Sequence, residues 1–277
     1  MPKINDPHYL LNEQYKDAAN LDARVQLHVR FSTNRYGWNR WYFDQLALPT
    51  EAHILELGSG PGYLWRDNLD RIPAEWQVTV SDFSPGMVAQ AQRNLATASP
   101  LFHFQQVDVQ AIPFEDNTFD AVIANHMLYH VPDRLQALSE MQRVLQPDGQ
   151  AFLATNGQHH LHELHDLMQR FDSTSSFGWG GQTHELFSLD SGHIELELFF
   201  HNIQVRRYED ALVVTEVEPL VDYIMSMSST ELAQARRVEL FQFIAQELAG
   251  SDAIHIAKDS GLFIGFKPPV TNIDPLD

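Results

Sequence analysis

The chain has 277 residues, no cysteine, 44% hydrophobic residues and a formal net charge of −19, from 37 acidic against 18 basic residues. The missing cysteine excludes disulfides, zinc–thiolate sites and thiol nucleophiles. The scarcity of Lys and Arg, with no cluster of either, argues against nucleic acid and against anionic membranes as partners.

No apolar run approaches the length of a membrane-spanning helix, and the first residues, MPKINDPHYLLNEQYKDAAN, lack the basic flank and apolar core of a secretory signal. A cytoplasmic protein is expected. A neutral or cationic small molecule suits its acidic field, and nothing in the sequence separates a monomer from a homodimer.

In chain order, residues 1–48 read as helices with short breaks; in RYGWNRWYFDQL the groups Trp38, Trp41, Tyr42 and Leu46 recur at helical spacing. The pattern then changes to short apolar runs alternating with helical ones. HILEL and WQVTVSD are strand candidates, with the helix-like YLWRDNLDRI between them. Ser84-Pro85 caps a helix carrying Met87, Val88, Ala91 and Leu95 on one side. FHFQQVD and FDAVIAN follow as strands. Asp133 caps the next helix, with Leu135, Leu138, Met141 and Leu145 expected inward, and a fifth strand, QAFLAT, comes after Pro147-Asp148-Gly149.

Beyond residue 156, HHLHELHDLMQRF reads as helix, STSSFGWGGQTH as loop and NIQVRRYE as a sixth strand. VEPLVDYIMSM and TELAQARRVELFQFIAQEL read as a helical insertion before a seventh strand, GLFIGFK. Alternating strands and helices predict an α/β protein with a mostly parallel sheet covered on both faces. One domain over 1–277 is expected: a helical lid over 1–48, a ligand-binding core over 49–156, a second half with a capping loop and the insertion over 157–267, and a tail over 268–277.

The stretch ILELGSGPG places Gly58, Gly60 and Gly62 directly after a strand. The position where a dinucleotide-binding turn has its last glycine holds Tyr63, and no Gly-Lys-Ser/Thr follows, so the turn is not built for phosphates. Glu56, just before the turn, would repel a pyrophosphate and suits an ammonium or sulfonium. Asp82 closes the second strand, where an acid meets ribose hydroxyls in nucleotide-binding α/β folds. Asp108 closes the third, where it could accept from an exocyclic adenine amine. Three acids at successive strand ends describe a positively charged nucleoside without phosphate.

ILELGSGPG, VTVSDFSPGMV, VDVQAIPFEDNTFDAVIANHMLYHV and LQPDGQAFLAT resemble, in order, the four motifs of class I S-adenosylmethionine-dependent methyltransferases, in the branch acting on small molecules and quinones. The resemblance covers roughly residues 50–156. It implies a Rossmann-like seven-stranded sheet and S-adenosyl-L-methionine as cofactor. Glu56, Gly58, Ser59, Gly60 and Gly62 would shape the methionine pocket and Asp82 would bind the ribose. Phe83, Ser84 and Met87 would flank the adenine, Asp108 and Val109 would read its edge, and Asn125 would lie beneath the methionine end.

Methyl transfer to a small-molecule acceptor is the expected activity, with the nucleophile (N, O, S or C) left open. Tyr129 and His130 follow the fourth strand, where this fold meets its acceptor; His130 is the candidate base and Tyr129 an orienting group. Trp38, Phe177 and Trp179 are aromatic groups near the presumed mouth, suited to packing or to a cationic ligand. The histidines of HHLHELH (His159, His160, His162 and His165) lack zinc-protease spacing and an evident third ligand, so a solvated helix and no metal are expected. The rival readings are a nicotinamide-dependent oxidoreductase, opposed by Glu56 and Tyr63, and a non-catalytic protein that binds the same cofactor.

Overall fold

A computed structural model describes residues 5–16, 19–173, 187–227 and 230–269. Seven strands form one sheet: β1 (His53–Leu57), β2 (Gln77–Asp82), β3 (Phe102–Gln106), β4 (Phe119–Asn125), β5 (Leu145–Asn156), β6 (His201–Val214) and β7 (Ile254–Phe266). Their order is β3-β2-β1-β4-β5-β7-β6. All pairings among β1 to β5 are parallel, and β7 runs antiparallel to both neighbours, β5 and β6. The connection reverses direction between β1 and β4, which opens a crevice at the carboxyl ends of the strands.

The central strands are apolar on both sides because helices cover both faces. Before β1 come α1 (Pro7–Tyr9), one wide turn over Leu10–Gln14, α2 (Ala19–Phe31) and α3 (Trp38–Asp44). On one face of the sheet α3, α4 (Tyr63–Arg66) and α5 (Pro85–Asn94) pack Tyr42, Trp65 and Ala91 against Ile54, Val78 and Ile123. On the other, α6 (Arg134–Val144) and α8 (Gly192–Leu196) pack Leu138, Met141 and Leu196 against Leu55, Val122 and Leu153. A third cluster joins α2 and α7 (His162–Phe171) to the insertion, α9 (Val217–Ser226) and α10 (Thr230–Ala249). Among the described residues no helix is long and apolar enough to cross a membrane.

Four expectations shift. The helix expected over YLWRDNLDRI ends at Arg66, because buried Asn68 turns its amide onto Leu64 O at 2.6 Å and Asn39 O at 3.0 Å instead of continuing the ladder. Leu135 is 48% exposed, and the inward stripe of α6 runs instead through Ala137, Leu138, Met141 and Val144. The strands around NIQVRRYE and GLFIGFK extend to fourteen and thirteen residues, since each is the other's antiparallel partner well beyond the apolar run. The helix in HHLHELH starts only at His162, leaving His160 on the turn before it.

Candidate active site

A cavity of about 1130 Å³ opens at the carboxyl edge of the sheet. Its floor is the turn after β1. Gly58, Gly60 and Gly62 all have left-handed φ, at 65°, 54° and 75°, a region that costs a side-chain-bearing residue about 1–2 kcal/mol. Ser59 N donates to Ser81 O at 2.9 Å, and Gly60 N donates to Asp82 Oδ2 at 2.9 Å, so β2 holds the turn. Gly58, Ser59 and Gly60 line the cavity. Gly62 lies outside the lining; a Cβ there would stand 3.0 Å from Leu95 Cδ1, so its service is the close packing of the turn on α5.

Glu56 sits inside the sheet, paired with Val80 and Ile123, and is 1% exposed. Trp65 Nε1 donates to its Oε2 at 2.6 Å. Burial nevertheless raises its pKa from the ordinary 4.5 to about 8, with the nearby Asp82 adding to the rise. Burial likewise lifts Asp82 to about 6, against the backbone donors of Ser84, Gly60 and Phe83. Gln110 occupies Asp108 Oδ1 from its backbone N at 2.9 Å and its side chain at 3.2 Å. Each carboxylate accepts up to about four hydrogen bonds, so all three keep capacity for a ligand.

Phe83, Ser84, Met87 and Val109 complete this wall. Ser84 caps α5 by accepting from Met87 N at 3.3 Å, and its hydroxyl donates to Tyr15 O at 2.9 Å. Gly86 lets the segment pass closely, since a Cβ there would lie 2.4 Å from Lys16 O. The N-terminal residues are thereby fastened over this end. The site fits S-adenosylmethionine: strand-end acids suit a cationic, hydroxyl-rich nucleoside, and no lysine-bearing phosphate loop stands at the turn.

At the end of β4, Asn125 Oδ1 accepts from Trp38 Nε1 at 3.2 Å. Trp38 belongs to an aromatic group with Trp41, Tyr42, His126 and Tyr208, its ring centres 4.9–5.9 Å from theirs. Tyr129 and His130 lie on one short turn and also line the cavity. His130 Nε2 meets Tyr15 Oη at 2.9 Å, and burial pushes the Tyr129 and Tyr15 hydroxyls above their ordinary pKa. Phe177 and Trp179 fall outside the described residues.

The sequence reading missed the other end of the cavity, which holds His28, His126, His160, Asp210 and Lys258, and it missed Arg24, which lines the cavity beside Tyr15. Helix α2 runs along the mouth. Leu21 faces Gly60, and eleven residues later Ser32 donates to Asp210 Oδ2 at 2.8 Å. At 1.5 Å per residue the helix spans about 16 Å between those points. Buried Arg24 donates to Ser226 Oγ at 3.2 Å and Ser226 O at 2.8 Å. One signal was present: Leu21, Arg24 and His28 recur at helical spacing along one face of α2, and Ser32 follows it. His126 also has an unusual backbone, with φ 56°, directly after β4.

The family described as "Methyltransferase domain" matches residues 55–153. The demethylmenaquinone methyltransferase of Lactiplantibacillus plantarum is 32% identical over 132 residues, covering 47% of this chain and 55% of that protein. A malonyl-[acyl-carrier protein] O-methyltransferase of Pseudescherichia vulneris is 34% identical over 125 residues, 44% of this chain and 46% of that one. The chain spans about half the length of these curated relatives. Among solved structures, phosphoethanolamine N-methyltransferase 2 of Haemonchus contortus, in complex with S-adenosyl-L-methionine, superposes with a TM-score of 0.59 at 19% identity, over 96% of this chain and 60% of that one. At that identity the likeness is one of fold. Glycine turn, strand-end acids, strand order and family match agree: residues 55–153 are a class I, S-adenosylmethionine-dependent methyltransferase domain.

Proposed function

We propose that the protein is an enzyme that transfers a methyl group from S-adenosylmethionine to a small-molecule acceptor by in-line displacement. The observation that carries this reading is the alignment of Glu56, Asp82 and Asp108 along one wall of one cavity. The cofactor supplies an already activated methyl and departs as a neutral thioether. The protein's share of the work is alignment and exclusion of water. Glu56 and the glycine turn receive the methionine end, Asp82 the ribose, and Asp108 with Val109 the adenine edge. Phe83, Ser84 and Met87 flank the ring, and Asn125, steadied by Trp38, closes the methionine end from below.

His130 is the base for an acceptor that must lose a proton, with Tyr15 holding its ring, and Tyr129 orients the acceptor. His130→Ala should lower turnover by about 10²-fold, within the usual range for general-base catalysis, and leave affinity for S-adenosylhomocysteine unchanged. Labelled-methyl transfer over a metabolite library, with the product located by mass, tests the whole reading. Calorimetric binding of S-adenosylhomocysteine without any labelled product would make this a cofactor-binding protein; a dinucleotide binding in its place would sink the reading.

A further inference from the structure

Sheet order divides the cavity into a side of acids and a side of imidazoles with one ion pair. Glu56, Asp82 and Asp108 stand at the ends of β1, β2 and after β3, on one side of β4. His126 after β4, His160 after β5, Lys258 on β7 and Asp210 on β6 stand toward the other side, with His28 above them on α2. An acceptor entering opposite the acids meets these groups.

Asp210 has no capacity left for a cationic ligand. It accepts from Lys258 Nζ and from the hydroxyls of Ser32 and Thr33. The backbone N–H groups of Asn34 and Ala211 donate to it as well, at 2.9 Å each. Lys258, whose side chain is 8% exposed, has three N–H donors and gives one to Asp210 and a long one to Ser32 Oγ at 3.5 Å.

The tautomer of His160 is fixed by its neighbours. Its Nδ1 accepts from Asp259 N at 3.2 Å, a group that can only donate, so in the neutral ring the proton is on Nε2. Ser260 Oγ, which stands 3.2 Å from the same Nδ1, also reaches Asn156 Oδ1 at 2.8 Å. The polar atom His160 has left for the cavity is therefore a donor. His28 Nδ1 is buried with no hydrogen-bond partner, an unusual state for an interior polar atom. Burial, reinforced by Lys258, holds His28 at about 3 and His126 at about 4, and His160 is depressed for the same reason; the three rings are neutral near pH 7.

We infer that this half of the cavity binds an acidic oxygen group of the acceptor, a carboxylate or an ionised phenol or enol, against His160 Nε2–H and the Lys258 ammonium. A protonated amine would face the Lys258 ammonium with the carboxylate of Asp210 already saturated. An oxyanion gains two charge-assisted donors there. Calling the ligand the acceptor rests on the methyl-transfer reading; the binding site itself does not.

The test uses the full chain with and without S-adenosylhomocysteine, titrated calorimetrically with 4-nitrophenolate, benzoate and benzylamine at a pH where all are ionised. At least one of the two anions should bind and benzylamine should not. His160→Asn places an amide oxygen near the Nδ1 position to keep the Asp259 bond while deleting Nε2–H. It should weaken anion binding about tenfold, the scale of one lost charge-assisted hydrogen bond, with S-adenosylhomocysteine affinity unchanged. Lys258→Gln combined with Asp210→Asn, which removes the ammonium without leaving its carboxylate unpaired, serves if the first variant misfolds and should likewise weaken the anions.

Benzylamine binding as well as the anions, or anion affinity unchanged in folded variants, would overturn the assignment while leaving methyl transfer standing. Anion binding by a chain that does not bind S-adenosylhomocysteine would support the site and overturn methyl transfer.

Discussion

Glu56 carries the largest conflict between stability and binding at a single residue. Between its ordinary pKa of 4.5 and its folded value of about 8, the unfolded carboxyl has lost its proton and the folded one has kept it. The native state then binds more protons, so stability of the ligand-free protein falls as pH rises through that window, by up to about 1.4 kcal/mol per pH unit. Glu56→Gln should flatten this dependence in thermal melts at pH 5 to 8 and give a ligand-free protein more stable than wild type at pH 8. The same change should weaken binding of the sulfonium cofactor, because the ionised form of Glu56 is the one a cation favours. Wild-type affinity for S-adenosylmethionine should correspondingly rise with pH up to about 8. Parallel pH dependence in wild type and Glu56→Gln would show that another group carries it.

At the level of elements, the start of α5 does two jobs through one hydroxyl. Ser84 satisfies Met87 N at the helix start and donates to Tyr15 O, so helix and N-terminal segment share an anchor. Ser84→Ala should cost about 1–2 kcal/mol, the worth of a lost cap plus one further hydrogen bond, read from urea unfolding. A change within a few tenths would mean that solvent replaces both bonds. The strands β1 to β5 were legible because each is an apolar run between turn residues and is buried on both faces. The true lengths of β6 and β7 were not: the missed halves, DALVV and IHIAKDS, are set off from the apolar runs by charged residues and are held by each other. Asn68 was illegible as a helix stop for a similar reason: its partners include Asn39, 29 residues away.

Across the molecule, the net charge of −19 and the charge inside the cavity differ. The average predicted a neutral or cationic partner. The far end of the cavity instead presents Lys258, paired with Asp210, and three neutral imidazoles. The half with the glycine turn and the strand-end acids was readable because those residues sit in contiguous motifs. The far half was not, because His28, His160 and Lys258 meet only through the fold; Ser32 and Lys258 are 226 positions apart. The acidic exterior should still act on association. In stopped-flow measurements, raising salt from about 0.01 M to 0.15 M shortens the Debye length from about 30 Å to 8 Å. Binding of 4-nitrophenolate should then quicken and that of cationic S-adenosylmethionine should slow. Equal salt responses for both would show that local fields dominate the approach.

The position of β7 has a consequence for biosynthesis. Of the seven described strands it is the last to leave the ribosome, yet it fills the slot between β5 and β6, which do not touch each other in the sheet order. Until it arrives, β6 has only a short bridge from Ser32 to Leu212 beside it, and Asp210 has no ammonium. A nascent chain halted before residue 254 therefore carries a complete glycine turn but an open sheet edge and an uncompensated carboxylate. Such a chain is a natural target for chaperones and for edge-to-edge aggregation.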